Sequence, residues 1–125
     1  MLGEKCLGSA PYEIESICKN TGFGFCLDFG HAACAAASQN LEWANYIDQF
    51  LKLNPDSFHL SDGHVTSVID EHLHLGKGNY NIPWFISKIG KNQPVAIETE
   101  KNSKDSLNDF LEDIIYIKEL EKKKL

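Results

Sequence analysis

Three short runs of the sequence alternate between small or polar residues and bulky apolar residues, with the period of two that marks a β-strand. These runs are residues 22–28, 57–61 and 94–99. One face of each run carries a carboxylate or a histidine among small residues, and the opposite face carries the large apolar side chains. Strands of this kind need one face covered by helices and one face that lines a site, which restricts the chain to α/β folds.

Helical periodicity fills the segments around these runs. The sequence predicts helices over residues 11–20, 40–53, 82–89 and 104–122, and the apolar stripe of the last is Leu107, Phe110, Leu111, Ile114, Ile117 and Leu120. The order α, β, α, β, α, β, α indicates a parallel sheet with right-handed crossovers. Three strands cannot close a barrel, but an inner face of glycine, serine, alanine and charged residues is typical of a barrel wall. We therefore expect an α/β fold that is a partial (β/α)8 TIM barrel, with about three parallel strands and flanking helices.

Potential metal ligands lie near the carboxyl ends of the predicted strands and in the loop that follows the second strand. A parallel α/β enzyme gathers side chains from its strand ends around one reaction centre, so we expect these residues to converge on one rim. The alternative is that they are polar residues that merely cap ordinary buried strands. The candidates are Asp28, His31, His59, Asp70, His72 and Glu98.

The loop at residues 62–81 is longer than a structural connection requires, which favours a functional role. We expect its His64 and His74 to be exposed, with the orientation of metal ligands as their alternative role. Gly76 and Gly78 are expected to shape the turn before the next helix, and Lys77 to be solvated.

Charge argues against nucleic-acid binding by this segment. The net charge is −6, and all twelve basic residues are lysines. Phosphate-backbone binding needs clustered cations, and arginine is the residue that reads phosphate and guanine in a bidentate manner. Nucleic acid is therefore not an expected partner of this segment alone.

Cysteine spacing and hydropathy indicate the compartment. Cys6, Cys18, Cys26 and Cys34 form no C-x-x-C pair, and we expect them to be buried, reduced thiols. The sequence has no apolar run of membrane-spanning length and no signal-peptide pattern. These features predict a cytoplasmic protein without a membrane partner.

Four motifs resemble the last three strands of the xylose-isomerase-like TIM barrels, a superfamily of sugar-phosphate isomerases, epimerases and endonuclease-IV-like enzymes. They are C-L-D-F-G-H-A (26–32), F-H-L-S-D (58–62), D-E-H-L-H-L-G-K-G-N (70–79) and A-I-E-T-E (96–100). The resemblance implies that Asp28, His59 and Glu98 bind a divalent metal, which can be Zn, Mn, Mg or Co. It also implies that the second metal cluster of the endonuclease-IV-like branch corresponds to His31, Asp70 and His72.

The resemblance implies three competing functions. The leading one is a metal-dependent isomerase or epimerase of a sugar or sugar phosphate, in which Glu98 is catalytic and moves a proton beside the carbonyl. The second is an endonuclease-IV-like phosphodiesterase that acts at abasic DNA, which needs His31, Asp70 and His72 as true ligands. The third is a non-catalytic barrel remnant. Glu71, in the middle of D-x-H, and the absence of arginine favour the first.

A full barrel of this type needs roughly 250 residues, about twice the length of this chain. Residues 1–125 are therefore expected to be the C-terminal half of a TIM-barrel-like domain, and a strand that ends in a further glutamate ligand would lie ahead of Met1. The expected macromolecular partner is a second copy, which gives a homodimer, or a separate N-terminal half. The expected substrate is a small-molecule sugar or sugar phosphate.

Overall fold

The computed structural model describes residues 9–100 and 102–123. Three parallel strands form one sheet in the order β1-β2-β3, as the sequence predicts. The elements in chain order are α1 (Pro11–Thr21), β1 (Cys26–Asp28), α2 (Phe29–Ser38), α3 (Trp43–Leu51), β2 (Ser57–Leu60), α4 (Ile82–Ser87), β3 (Val95–Ile97) and α5 (Asn108–Lys122).

The helix α2 is absent from the sequence prediction, so the predicted alternation of single helices and strands is wrong between β1 and β2. Asp28 ends β1 and is at the same time the N-cap of α2. Eight of the ten residues that follow are alanine, serine, glycine or cysteine, so the helix has small side chains and packs closely over the strand ends. Five of these residues are alanine, the strongest helix former, and the first of them is the fourth residue after the capping Asp28. A capping residue followed by an alanine-rich segment is the signal that could have revealed this helix.

Element boundaries also differ from the predicted ones. All three strands are shorter than the predicted runs. At β1 the reason is that Gly22, with a φ of 74°, ends α1, and the chain joins the sheet only at Cys26. Helix α5 begins at Asn108 rather than at residue 104.

The core lies between the sheet and its covering helices. Phe29 stacks on Phe58 and on Phe85, with ring centroids 5.3 and 4.5 Å apart. Burial of one such side chain stabilises the fold by about 1.5–3 kcal/mol. Leu60 and Ile47 are 1% and 0% exposed. The predicted apolar face of β1 and β2 is thus confirmed, and the sheet holds the polar face of these strands toward the opposite side.

On the third strand and the last helix the predicted apolar surface differs from the observed one. Val95 is 37% exposed, and within the predicted stripe of α5 Leu107, Leu111 and Ile114 are exposed. The buried residue of the described helix is instead Asp113, at 1% exposure. Because a buried carboxylate needs donors that come from elsewhere in the chain, helical periodicity alone does not reveal this face.

The cysteines follow the prediction only in part. Cys34 is a buried free thiol, Cys18 is half-buried, and Cys26 is exposed on β1, which corrects the expectation of burial. Cys6 lies outside the described residues. Across the part of the chain that the structure describes, no helix is both long enough and apolar enough to cross a membrane.

Candidate functional site

Asp28 stands at the point where β1 turns into α2. Its Oδ1 atom accepts a hydrogen bond from the backbone N–H of His31 at 2.9 Å, and its Oδ2 atom lies 3.0 Å from Nδ1 of the same residue. Oδ2 is also 3.6 Å from Nδ1 of His59 on the neighbouring strand. Burial raises the pKa of Asp28, although the hydrogen bond from His31 opposes this effect.

The parallel register brings three of the candidates together. Asp28 on β1 and His59 on β2 are partners in the strand register. Glu98 comes directly after β3, which pairs with the other side of β2. Nδ1 of His59 lies 3.1 Å from Oε2 of Glu98. One potential ligand atom from each of these residues lies within 4.8 Å of the others, and we call these three residues the strand group.

A second group forms where the long loop folds back over α2. Oδ2 of Asp70 lies 2.9 Å from Nε2 of His31 and 3.0 Å from Nε2 of His72. We call His31, Asp70 and His72 the loop group, and their ligand atoms also lie within 4.8 Å of one another. Ligand atoms about 2.1 Å from a shared ion are about 3.0–3.4 Å apart in octahedral or tetrahedral geometry, so these distances are close to those of a metal site.

The environment of Asp70 supports this interpretation. Among the described residues, no donor makes a hydrogen bond to either of its buried carboxylate oxygens. The two imidazole nitrogens are close to Oδ2 but are not aligned for hydrogen bonding. Since a buried charge without hydrogen bonds is costly, a carboxylate in this state fits a cation.

His72 has an unusual backbone and a fixed ring. Its φ is 50°, in the left-handed region that non-glycine residues seldom adopt. Its Nδ1 lies 2.6 Å from the carbonyl oxygen of Glu98, so Nδ1–H donates and the lone pair of Nε2 faces Asp70. This hydrogen bond is the main reason why the pKa of His72 is raised, and the nearby carboxylates add to it.

Gly30 provides space for Asp70. A Cβ atom at this position would lie 3.0 Å from Oγ of Ser61 and 3.1 Å from Oδ1 of Asp70. Both contacts are tighter than normal van der Waals packing. A side chain at position 30 would therefore press on Asp70 of the loop group.

The loop itself is organised by Asp62, a residue that the sequence did not single out. Asp62 is 1% exposed and accepts hydrogen bonds from the backbone N–H groups of Gly63, Gly76 and Tyr80 at 2.8, 2.8 and 3.2 Å. Gly76 has a φ of 88°, which confirms that it shapes the turn. The loop is thus a fixed structure built around a buried carboxylate.

The two remaining histidines behave differently from one another. His64 is exposed, as expected, and its Nδ1 lies 2.9 Å from Oε1 of Glu71. The expectation of exposure is wrong for His74, whose side chain is 16% exposed and contacts Asp113 with Nδ1 2.7 Å from Oδ2. Asp113 comes from α5, far away in sequence, so no local pattern could have predicted this contact. Lys77 is exposed, as the sequence predicts.

The structure thus brings all six predicted ligands to one rim, in two groups that share the Asp28–His31 contact. Carboxylates and imidazoles are suitable donors for Zn, Mn, Co or Mg, and the buried oxygens of Asp70 fit such an ion. Their binding of metal remains a prediction.

A solved structure of a D-tagatose 3-epimerase-like protein matches 95% of this chain with a TM-score of 0.71 and 24% sequence identity. The fold is that of a partial TIM barrel. The expected partial TIM-barrel fold is thereby confirmed. The chain spans 43% of the length of that structure. No protein-family model and no curated protein matches the sequence.

Proposed function

We propose that this chain supplies the metal-binding rim of a divalent-metal-dependent isomerase or epimerase that acts on a sugar or sugar phosphate. The observation that carries the proposal is the convergence of Asp28, His59 and Glu98 from three successive parallel strands, with ligand atoms within 4.8 Å of one another. The similarity in fold to a D-tagatose 3-epimerase-like protein favours a sugar as the substrate class.

In this proposal the residues of the strand group have separate roles. Asp28 and His59 hold the metal and orient the substrate oxygens, and the partly exposed carboxylate of Glu98 faces the same space. A divalent ion held there would polarise a carbonyl or hydroxyl of the substrate. Glu98 accepts the proton from the carbon beside the carbonyl and later returns it, which moves the double bond or inverts the carbon.

We also propose that activity needs a complementary part of the barrel. Among the described strands, β1 and β3 each pair on one side only, and the chain spans less than half of the epimerase-like structure. A second copy of the chain or an N-terminal half would cover the rim and exclude water.

The test is proton exchange in heavy water. The purified chain, loaded in turn with Mn, Co or Zn, is incubated with ketoses and ketose phosphates, and NMR follows the replacement of the proton beside the carbonyl by deuterium. We expect exchange in the complemented form, which Glu98→Gln abolishes and which Glu100→Gln, at an exposed carboxylate two residues further on, preserves. Absence of exchange with every metal and substrate, in the chain and in its complemented form, contradicts the proposal.

The loop group favours a second candidate, metal-assisted hydrolysis of a phosphodiester. The strand group alone would be enough for a reaction that needs one metal ion. His31, Asp70 and His72 add a second set of ligands, in which the two Nε2 atoms lie 2.9 and 3.0 Å from Oδ2 of Asp70. Many enzymes that hydrolyse phosphodiesters use two metal ions, which stabilise the attacking water and the sugar oxygen that leaves. The net charge of −6 opposes DNA binding.

Asp70→Asn separates the two candidates. If the chain is a phosphodiesterase, this variant loses cleavage of a duplex that contains an abasic site. If it is an isomerase, proton exchange persists in Asp70→Asn because the strand group is intact.

A further inference from the structure

Asp113 occupies a position that its helix does not explain. It is 1% exposed on α5, a helix whose described apolar residues Leu111 and Ile115 are 51% and 55% exposed. Tyr116, Ile117 and Leu120 of the same helix pack against the core, so apolar burial accounts for those residues but not for Asp113. Burial of a carboxylate is costly unless the carboxylate binds something specific.

Three groups surround the Asp113 carboxylate. Oδ1 accepts the backbone N–H of Leu75 at 2.8 Å, and Oδ2 accepts the hydroxyl of Thr99 at 2.7 Å. Oδ2 also lies 2.7 Å from Nδ1 of His74. The carboxylate is therefore fully engaged, and it ties α5 to the loop and to the end of β3.

Both segments that Asp113 holds are next to candidate metal ligands. Thr99 follows Glu98 of the strand group, and His74 and Leu75 follow His72 of the loop group. Asp113 itself is not a member of either group. It is placed to set the position of one group relative to the other.

Thr99 lies between two peptide groups that hold His72. The carbonyl of Glu98, directly before Thr99, is 2.6 Å from Nδ1 of His72, and the N–H of Glu100, directly after it, donates to the His72 carbonyl at 2.8 Å. Anchoring the Thr99 side chain therefore fixes both peptide groups. The left-handed backbone of His72, with a φ of 50°, is of the kind that persists only where its surroundings impose it.

We propose that Asp113, together with Thr99 and His74, forms a positioning network that holds His72 against the end of β3 and thereby sets the spacing of the two ligand groups. This inference rests on the proposed role of those groups as metal ligands. Asp113 touches neither substrate nor metal; it acts through His72 and Glu98. Hydrogen bonds of this type fix the tautomer and direction of a ligating imidazole.

The test uses the matched pair Thr99→Val and Thr99→Ser in the full chain, together with Asp113→Asn. Valine keeps the shape of threonine without its hydroxyl, and serine restores the hydroxyl. In the metal-free wild type at mildly alkaline pH, long-range 1H-15N NMR should show His72 protonated on Nδ1. Thr99→Val and Asp113→Asn should show a tautomer mixture and faster hydrogen exchange at the Glu100 amide, and Thr99→Ser should restore the wild-type signals.

Metal titration by calorimetry gives the second readout. We expect affinity for Zn or Co to fall by about 10- to 100-fold in Thr99→Val and to recover in Thr99→Ser. Phe50→Leu, in the core on α3, controls for a general loss of stability and should leave the His72 signals and affinity unchanged. If Asp113→Asn does not fold, the threonine pair decides.

Unchanged His72 signals in Thr99→Val, or equal changes in Phe50→Leu, would overturn this inference. The two proposals fail separately. A wild-type chain that takes up no metal contradicts the proposed function, while the tautomer and exchange measurements on the same sample still decide whether the network positions His72.

Discussion

Asp28 caps the helix that carries His31: Oδ1 accepts the His31 backbone N–H at 2.9 Å, and Oδ2 lies 3.0 Å from Nδ1 of the ring. One carboxylate therefore begins a helix and orients a candidate ligand at the same time. Because asparagine caps a helix about as well as aspartate but carries no charge, substitution can separate these two roles.

We predict that Asp28→Asn is at least as stable as the wild type at neutral pH without metal, but binds metal at least about tenfold more weakly. Burial raises the Asp28 pKa above 3.8, so the native state holds this proton more tightly than the unfolded chain does. Stability is therefore lost as the pH rises from 3.8 through the raised native pKa, and asparagine avoids this loss. Asp28→Ala, which also removes the cap, should lose about 0.5–2 kcal/mol in chemical denaturation. A strongly destabilised Asp28→Asn would contradict the argument.

The second prediction concerns pH and His72. Its native pKa is raised above 6.5, mainly by the hydrogen bond to Glu98, so the protonated ring stabilises the native state. This contribution is present in full below pH 6.5 and is lost as the pH rises through the native pKa. The same proton competes with metal for Nε2, so calorimetry should show metal affinity that rises with pH above 6.5. His72→Asn, which tolerates the left-handed backbone, should weaken this dependence. An equally steep dependence in that variant would show that another group controls it.

The third prediction uses two glycines. Gly30→Ala would place a Cβ atom 3.1 Å from Oδ1 of Asp70, whereas Gly22→Ala meets nothing within 4 Å but has a φ of 74°. We expect Gly30→Ala to weaken metal binding at the loop group, and Gly22→Ala to lower the unfolding temperature while metal affinity stays unchanged. Equal metal affinity in both variants would show that Asp70 moves away from the added Cβ atom without weakening metal binding.

The sequence predicts most of the sheet because its signals there are local. Alternation along β1 and β2 places Leu27, Phe58 and Leu60 on one face, and the structure buries all three. The convergence of the six ligand candidates also follows from local patterns, since each lies near a strand end or in the loop that follows one.

Other features could not be predicted because they depend on contacts between residues that are far apart in the sequence. The inward face of α5 includes Asp113 as well as Ile117 and Leu120, and the three hydrogen-bonding partners of Asp113 lie 14 to 39 residues earlier in the chain. The same contact buries His74. Helix α2 differs in this respect, since Asp28 and the alanines after it are a local signal.

The last prediction concerns assembly. A strand edge that lacks a neighbour presents free N–H and C=O groups, and among the described strands both β1 and β3 have such an edge. In addition, α5 and its N-cap residue expose apolar side chains: Leu107, Leu111 and Ile115 are 63%, 51% and 55% exposed. We therefore expect the chain to form a symmetric dimer, or to pair with a separate N-terminal half, since either association covers these surfaces.

Light scattering on the purified chain measures this association directly. Leu111→Lys places a charge on the exposed apolar face of α5 and should shift the dimer to monomer without loss of folding, because Leu111 is only half-covered in the single chain. Val68→Lys, at a residue 45% exposed in the loop, is the matched control and should remain dimeric. A wild-type chain that stays a well-folded monomer at high concentration, and that binds no second segment, would show that the open edges of β1 and β3 are tolerated in water.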